Sequence, residues 1–468
     1  MLKKRSLESI LRRLKPLNKI REYAVRAEKQ VYLVGGVIRD ILLDKEIKDI
    51  DIAVSGKGED FARALGKSFH LKKDLDEYRV IMNNLTVDVM GLGTIEILDD
   101  LSRRDFTINA MAYNLLDKRF IDPFNGVKDL ENGILKAISR KNIVDDKIRV
   151  LRALRFRASF GFNIENETLD LLKEYATGLE ESASERIHNE LILIFSQDNS
   201  YLAIMPEIFD IIFPGFMKMK NIEGGKVTKN LLEHSILTLK TLEEILKDFS
   251  MFEKYEKKVK DYSFNKKVGL KIASLLHDIK KPDTIEVKGN EVHFYGHDKF
   301  ASEWIEKRLK ELNFSYSERS YISLLVENHM WIHLLSAQKD VTERAKRRMV
   351  FRLGEDVIGL SLLTIADQIA SDGEKDNHLI NVCNNIIKYY FDSKDEVEKP
   401  ILNGKDLIEN FDIKPGPIFG RILTRVQKAY EEGEIRTKEE ALKFVKEDIL
   451  KGLDRNEDEN KMDIKEAR

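Results

Sequence analysis

The alternation of apolar and polar residues is clearest between positions 31 and 54 of this 468-residue chain. A β-prone apolar run, Val31–Val34, ends in a glycine pair, and a short helical pattern, Val37–Leu43, leads to a second strand pattern. Alternate residues of a strand point to the same face, so Asp49 and Asp51 share a face that is opposite to the face of Ile50. The pattern therefore predicts strand, glycine turn, helix and strand, with a carboxylate pair on the second strand.

The chemistry of this stretch indicates a phosphate and metal site. Two adjacent carboxylates repel each other unless a cation lies between them, and oxygen ligands at this spacing suit Mg²⁺. Gly35 and Gly36 let backbone N–H groups approach phosphates at the start of a helix, and Arg39 is a further candidate for nucleotide binding. We predict a metal-dependent nucleotidyl-transfer site with Asp49 and Asp51 as catalytic metal ligands. A pair of aspartates at a solvated strand end is the alternative.

The segments that follow alternate between helix and strand patterns. Residues 59–70 are expected to be helical, and two short strands are expected around Tyr78–Met82 and Leu85–Met90. Asp88 alternates with valines in the second of these strands, so it is a candidate third catalytic carboxylate, and an exposed strand aspartate is the alternative.

Residues 103–114, RRDFTINAMAYN, place a basic pair, an acid and an amide beside an apolar segment that we expect to be a helix. We expect substrate contacts from Arg103, Arg104, Asp105 and Asn109. The alternative is that Asp105 caps the helix.

Residues 145–157, DDKIRVLRALRFR, place Arg149, Arg152 and Arg155 on one side of an expected helix, with Asp146 one turn before Arg149. Asp146 and Arg149 form an acceptor–donor pair that fits the edges of cytosine and adenine and mismatches those of uracil and guanine. The prediction is base selection by protein side chains. A solvated helix face is the alternative.

In order and wording, these segments resemble the motifs of class II tRNA nucleotidyltransferases and bacterial poly(A) polymerases, members of the polymerase β superfamily. The resemblance implies that Asp105 recognises ribose hydroxyls, that Arg104 and the 149–155 arginines hold phosphates, and that two Mg²⁺ ions bind at Asp49 and Asp51. This sequence has Asp145 where the fourth motif usually has Glu.

Two further motifs of the family match. IDPFNGVKDL, residues 121–130, resembles the third motif, a connector, with Asp122, Gly126 and Asp129 at the matching positions. SERIHNE, residues 184–190, resembles the fifth motif, in which Glu185 and Arg186 would be structural braces.

A second constellation of histidines and aspartates lies downstream, in helical patterns. An adjacent His-Asp pair after an apolar helix, with more of both residues along the chain, suits a divalent transition metal. The segment resembles the HD phosphohydrolase superfamily, which implies core ligands at His234, His277, Asp278 and Asp367 and further ligands at His297 and His329. His293 and His333 are taken as bystanders, and an inactive scaffold is the alternative.

Composition adds limits on the cellular setting. Charged residues form 34% of the chain, but the formal net charge of −2 does not indicate nucleic acid. The basic stretch 1–30 is a local indication of nucleic-acid binding, and a solvated helix face is the alternative. A single cysteine, Cys383, excludes an internal disulfide and fits a reducing cytoplasm. We expect a soluble cytoplasmic protein without a membrane partner, because no apolar run approaches about 20 residues.

The expected fold class is α+β, a small mixed sheet followed by helical parts. The expected domains are a catalytic head (1–135), a helical neck with the base-reading motif (136–228), an HD-type domain (229–395), a helical tail (396–452) and a disordered end (453–468). The tail, with its turn at Pro415-Gly416-Pro417, resembles the tRNA-binding tail of the same family.

Together these features predict a tRNA 3′-end nucleotidyltransferase that uses CTP, with ATP as a further candidate substrate. Family members that add the final A carry a flexible loop before the RRD motif, and here the interval Val89–Ser102 is short. We therefore expect an enzyme that adds only CC and works beside a separate A-adding enzyme. The alternatives are complete CCA addition, a poly(A) polymerase or A-adding enzyme, a phosphohydrolase with a degenerate head, and an RNA-binding scaffold.

Overall fold

The computed structural model describes residues 15–47, 49–71, 76–82, 85–289, 291–338, 341–394, 400–411, 416–431, 433–435 and 437–450. The chain divides into two compact units, Met1–Pro214 and Gly215–Arg468. Residues 1–14 of the basic stretch, Pro415 of the expected turn and the charged end (453–468) lie outside the described residues.

The first unit is built on a seven-stranded sheet with the order β3-β4-β5-β2-β1-β6-β7. Strands β2 and β5 pair in parallel, and the other neighbouring pairs are antiparallel. The expected mixed sheet and the α+β class are therefore confirmed. The strands are β1 (Val31–Val34), β2 (Asp49–Val54), β3 (Ser68–His70), β4 (Glu77–Met82), β5 (Leu85–Gly91), β6 (Ala112–Asn114) and β7 (Phe120–Ile121).

The period-2 pattern decides which face of this sheet is buried. Ile50, Val80 and Val87 are fully buried, whereas the opposite face carries polar side chains such as those of Asp51 and Asp88. Each buried valine or isoleucine stabilises the fold by about 1.5–3 kcal/mol relative to exposure, which fixes the register of the strands.

Helices complete the first unit. They are α1 (Lys15–Arg26), α2 (Gly36–Leu42), α3 (Glu59–Leu65), α4 (Ile97–Ser102), α5 (Gly126–Glu131), α6 (Arg140–Asp145), α7 (Arg149–Phe160), α8 (Asn166–Tyr175), α9 (Ser184–Phe195) and α10 (Pro206–Ile212). A short parallel pair, β8 (Ile134–Leu135) and β9 (Asn163–Ile164), joins α5 and α7 to the rest of the unit.

Three expectations about local structure were wrong in detail. The helix expected over 59–70 ends at Leu65, and the rest forms β3. The helix expected within 103–114 is a single 3₁₀ turn, Thr107–Asn109, followed by β6. The helix expected over 145–157 is interrupted, because Asp146 has extended backbone angles between α6 and α7.

The second unit is mainly helical. Its elements are α11 (Leu231–Ile245), α12 (Glu256–Leu276), the hairpin β10 (Glu286–Lys288) and β11 (Glu291–His293), α13 (His297–Glu311), α14 (Tyr316–Ser336), α15 (Glu343–Leu353), α16 (Val357–Asp372), α17 (Asn377–Asp392), α18 (Gly404–Phe411), α19 (Pro417–Glu431) and α20 (Lys438–Phe444).

The last three helices have a core of their own. Leu407, Ile422 and Val426 are at most 1% exposed, and Phe351 of α15 packs against the same cluster. Arg347 of α15 also donates to the Tyr430 carbonyl at 3.1 Å, so the helical end of the chain is anchored to α15. Among the described helices, none combines the length and the apolar character that crossing a membrane requires.

Candidate active site and buried histidine centre

The carboxylates predicted from the sequence lie together on the polar face of the sheet. Asp51 of β2 is the direct Cα partner of Asp88 on β5. Asp49, two residues earlier on the same face, is paired with Thr86. Burial and the neighbouring carboxylate charges raise the pKa of Asp51 to about 6, although the Arg104 guanidinium lowers it. Such a cluster of negative charge is a suitable environment for a divalent cation.

The turn before α2 requires glycine, because its backbone lies close to the Arg104 and Asp51 side chains. Gly35 has φ +73°, a left-handed conformation that favours glycine. A Cβ atom at Gly35 would lie 2.8 Å from Arg104 Nη1 and 3.3 Å from Asp51 Oδ2. The turn therefore brings backbone, carboxylate and guanidinium groups within reach of a single ligand.

A cavity of about 470 Å³ opens beside Asp51 and brings together most of the predicted nucleotide-binding residues. It is lined by Gly35, Gly36, Arg39, Asp51, Asp100, Arg103, Arg104, Asp105, Asn109, Asp146, Arg149, Arg152, Arg155, Phe156 and Arg186. Seven of these residues are arginines, so the cavity suits a strongly anionic ligand such as a triphosphate. Asp49 and Asp88 do not line it and lie at its carboxylate end.

Arg152 and Asp105 form the best-buried ion pair of the cavity. Arg152 Nε and Nη2 lie 2.8 and 2.6 Å from Asp105 Oδ2. Burial by itself raises the pKa of the Asp105 carboxyl, but the Arg152 charge and a hydrogen bond from Asn109 bring it below its usual value. Asp105 is therefore a fixed anion, and it does not cap a helix.

Other arginines are held at the cavity wall by neighbouring acids and amides. Arg104 donates to Asp100 Oδ2 at 2.8 and 3.0 Å, and Arg39 donates to Asn109 Oδ1 at 2.6 Å. The Phe156 ring packs 5.2 Å from the Arg39 guanidinium carbon. Each guanidinium keeps further N–H groups, because it has five donors.

The predicted base-reading pair is assembled differently from the expectation. Asp146 lies in the break between α6 and α7, and its Oδ2 accepts a hydrogen bond from Arg186 Nη2 at 2.8 Å. Arg149 donates to the Arg103 and Arg104 carbonyls at 2.8 and 3.1 Å. Both side chains line the cavity, but they are held by α9 and by the RRD turn.

Asp88 is engaged by a residue that the sequence analysis did not single out. Arg79 of β4 donates from Nε and Nη2 to the two Asp88 oxygens, each at 2.8 Å. The signal was available, because the alternation that gives β4 its polar face also places Arg79 there.

A second polar cluster is buried within the second unit. His277, Asp278 and His329 are at most 1% exposed. Four helices and the turn after α12 supply the predicted residues, which are His234 (α11), His277 and Asp278 (after α12), His297 (α13), His329 (α14) and Asp367 (α16). Residues more than 130 positions apart in the sequence thus converge at one point.

Asp278 is at the middle of this cluster. Its Oδ1 lies 3.5 Å from both His297 Nε2 and His329 Nε2, and its Oδ2 lies 3.3 Å from His277 Nε2. Within the described residues, two groups have potential ligand atoms all within 4.8 Å of one another, His234–His277–Asp278 and Asp278–His297–His329. Lys281 Nζ also contacts Asp278 Oδ2 at 2.7 Å.

Asp367 forms the second acidic contact. Its Oδ1 lies 2.9 Å from His234 Nε2 and 3.5 Å from His277 Nε2. Its other oxygen, Oδ2, lies 2.9 Å from His333 Nε2, so the expectation that His333 is a bystander was wrong. Burial alone lowers the pKa of His277, whereas Asp278 and Asp367 raise it, with a net value of about 10. The negative charges of Asp278 and Asp367 thus favour a positive charge at their common position, either a protonated His277 or a bound cation.

The protonation of the imidazoles follows from their backbone contacts. A carbonyl oxygen only accepts, so each Nδ1 that faces one carries a proton, and in the neutral form of the imidazole the Nε2 atom then has a free lone pair. These contacts are His277 with Ser274 at 2.9 Å, His297 with Phe294 at 2.7 Å and His329 with Val326 at 2.7 Å. The Nε2 atoms of His297 and His329 then face each other at 3.2 Å. Two lone pairs at this distance need a cation or a proton between them.

The interval before the RRD motif is compact. Strand β5 ends at Gly91, a turn leads to Glu96, and α4 begins at Ile97 with a capping box between Glu96 and Asp99. Leu92, Ile97 and Leu101 are buried in the core of the first unit. This interval is therefore fixed by regular structure and packing.

Comparison with known proteins agrees with this architecture. Family models match at residues 31–136 (Poly A polymerase head domain), at 161–219 (Probable RNA and SrmB- binding site of polymerase A) and at 297–445 (tRNA nucleotidyltransferase domain 2, putative). The seven-stranded sheet of the first unit is thus similar to the head domain of poly(A) polymerases.

Relatives match over almost the full length. A CC-adding tRNA nucleotidyltransferase from Synechocystis is 26% identical and covers 89% of this chain and 93% of the relative. An A-adding tRNA nucleotidyltransferase from Deinococcus radiodurans is 27% identical, with 88% and 94% covered. A CCA-adding enzyme from Ligilactobacillus salivarius is 27% identical, with 91% and 93% covered. Over almost its whole length the chain is therefore similar to tRNA nucleotidyltransferases, and these relatives include CC-adding, A-adding and CCA-adding enzymes.

Solved structures share the fold. The Thermotoga maritima CCA-adding enzyme complexed with tRNA has a TM-score of 0.55 at 24% identity, covering 92% of this chain and 95% of that one. A CCA-adding enzyme with ATP has a TM-score of 0.60 at 24% identity, with the same coverage.

Proposed function

We propose that this protein is a tRNA 3′-end nucleotidyltransferase that adds C from CTP and releases pyrophosphate. The observation that carries the proposal is the arginine-lined cavity, whose wall includes Asp51 as well as Asp146 and Arg149. A triphosphate at the carboxylate end and a base at the Asp146 end would fill its length. The tRNA relatives supply the nature of the acceptor.

Asp49 and Asp51 would hold Mg²⁺. Burial first, and then the neighbouring Asp88 and Asp49 charges, raise the pKa of Asp51, and a bound cation would offset both effects. Bound Mg²⁺ supplies charge stabilisation for the attacking 3′-hydroxyl and the leaving pyrophosphate. The protein residues position the nucleotide, with guanidinium groups on the phosphates and Asp105 as an acceptor for ribose hydroxyls. Asp88 is a third carboxylate of the same face.

We also propose that addition stops after CC, and the compact interval between β5 and α4 supports this. An interval held by a capping box and buried leucines has little freedom to reshape the cavity for ATP. Asp146 and Arg149 are each held by partners outside the pair, which favours one base-reading geometry.

The test is direct. A tRNA transcript that lacks CCA is incubated with CTP and ATP together, and the product 3′ ends are sequenced. The proposal expects termini at CC. Full CCA termini would refute the CC limit and keep the nucleotidyltransferase proposal, and unextended tRNA would refute both.

A second proposed function is divalent-metal binding and phosphoester hydrolysis at the buried histidine centre. It rests on unsatisfied buried atoms, since His234 Nδ1, His277 Nε2 and Asp278 Oδ1 have no hydrogen-bond partner of good geometry among the described residues. Leaving such groups unpaired costs about 1–3 kcal/mol each, so a bound cation accounts for their retention. His234, His277, Asp278, His297, His329 and Asp367 would hold it.

A further inference from the structure

The polar face of the sheet continues outward from the proposed catalytic carboxylates. Cα pairing places Asp51 beside Asp88, Asp88 beside Arg79, and Arg79 beside Phe69. Paired residues of adjacent strands share a face, so these four side chains form one row across β2, β5, β4 and β3. Ile81 lies two residues from Arg79 on the same face.

Two large apolar side chains of this face are exposed. Phe69 is 49% exposed and Ile81 is 65% exposed. Val80, which precedes Ile81 and points to the opposite face, is buried in the core. Lys67 Nζ lies 5.5 Å from the centre of the Phe69 ring. An aromatic ring with a neighbouring lysine, in one row with Arg79 and the proposed metal-binding carboxylates, resembles the surfaces that bind single-stranded nucleic acid.

The position of the nucleotide cavity indicates from which side the acceptor RNA reaches Asp51. The cavity involves the glycine turn after β1, so it lies on the β1 side of Asp51, and the Asp88–Arg79–Phe69 row lies on the β5 side. Phosphoryl transfer needs the attacking and leaving oxygens roughly in line. With the triphosphate on the β1 side, the strand that supplies the hydroxyl must arrive over β5, β4 and β3.

We propose that Phe69, Arg79 and Ile81 form the binding surface for the 3′-terminal nucleotides of the acceptor RNA. Phe69 stacks on a base, Ile81 supports the same nucleotide, and Arg79 bridges Asp88 and a backbone phosphate. Arg79 has this capacity because two of its five donors serve Asp88. Glu77, on the same face, bounds the surface at the other end of β4. The inference rests on the proposed transferase function.

The test measures RNA binding in EDTA, without catalysis. Two probes are used, a tRNA transcript that ends before CCA and the same transcript shortened by four 3′ nucleotides. Phe69→Ala and Ile81→Ser should each weaken binding of the first probe roughly tenfold, as loss of one stacked base does, and leave binding of the second unchanged. Phe69→Trp should restore the difference. Val25→Ser is the matched control, because Val25 is an aliphatic residue of the same unit that is 61% exposed.

Three results would overturn the proposal. One is equal weakening for both probes, and another is unchanged binding of both. The third is a changed oligomeric state with normal RNA binding, which would indicate a second copy of the chain on this face. Failure of the transferase proposal is distinguishable, because it shows as absent CTP incorporation by the wild-type protein, whereas the end-dependent binding is read without incorporation.

Discussion

The sheet face of the first unit and the histidine centre of the second unit both concentrate aspartates, but they compensate the charge in different ways. On the sheet, Asp51 and Asp88 are neighbours on one face, and the arginine-lined cavity opens beside Asp51. In the second unit, Asp278 is 1% exposed and is surrounded by imidazoles locked by backbone carbonyls. The first arrangement suits ions and substrates that enter and leave, and the second suits a resident cation.

The largest expected effect is the loss of nucleotide addition when a carboxylate of the sheet face is removed. Asp51→Ala should reduce nucleotide addition by roughly 10³-fold or more, because the transition-state charge loses its metal support. Single-turnover CTP incorporation measures this, with Asp60→Ala, an exposed acid of α3, as the control. Metal content of the second unit should stay normal. Near-normal incorporation by Asp51→Ala would show that the metal assignment is wrong.

The complementary experiment removes Asp278, the central carboxylate of the histidine centre in the second unit. Asp278→Ala should abolish metal binding by the histidine centre, because Asp278 belongs to both candidate ligand groups. Metal analysis after incubation with Mn²⁺, Co²⁺ or Ni²⁺ is the measurement, and CTP incorporation should be unaffected. His293→Ala, in the β10–β11 hairpin, is the matched histidine control. Wild-type protein that binds none of these ions would leave only a scaffold role for the centre.

A smaller effect is expected on stability, at the buried ion pair of the cavity. Arg152→Met leaves Asp105 buried and unpaired, which should cost about 3–5 kcal/mol at neutral pH. In the wild type the lowered pKa of Asp105 stabilises the fold above the unfolded pKa, and this stabilisation is lost as the pH falls through the folded value.

In Arg152→Met, burial instead raises the pKa of Asp105, so its penalty is present at neutral pH and is relieved as the pH falls. The difference in Tm between wild type and variant should therefore shrink from pH 7 towards pH 4.5. Arg157→Met, on the same helix but outside the cavity lining, is the control. A difference that is constant with pH would contradict this account.

The smallest expected effect concerns base choice. Asp146→Ala or Arg149→Ala should reduce the preference for C over U by about 1–3 kcal/mol, roughly 5- to 150-fold, with a smaller effect on the rate with CTP. Because Arg186 holds Asp146, Arg186→Gln should show the same change in weaker form. Competition among four nucleotides measures it. Unchanged discrimination in all three variants would place base reading elsewhere.

The local parts of the first unit were accessible from the sequence. Strand alternation has a period of two residues, so the shared face of Asp49 and Asp51 follows without knowledge of any other strand. The glycine turn and the connector helix after Asp122 are also local, and Asp122 indeed accepts from the Gly126 and Val127 amides at 2.7 and 3.0 Å.

The sequence by itself thus determined the α+β class and the carboxylate face, because both follow from the periodicity of residues a few positions apart. The histidines and aspartates of the second unit span more than 130 positions, and only the fold brings them together. The tertiary structure decided the partners: Arg79 for Asp88, Arg186 for Asp146 and His333 for Asp367. Those contacts join elements up to 40 residues apart, and helical or strand periodicity carries no information on which faces meet. It also decided that α6 and α7 are separate. Asp146 between them has an extended backbone, its side chain accepts from Arg186 of α9, and Arg149 donates to the Arg103 and Arg104 carbonyls.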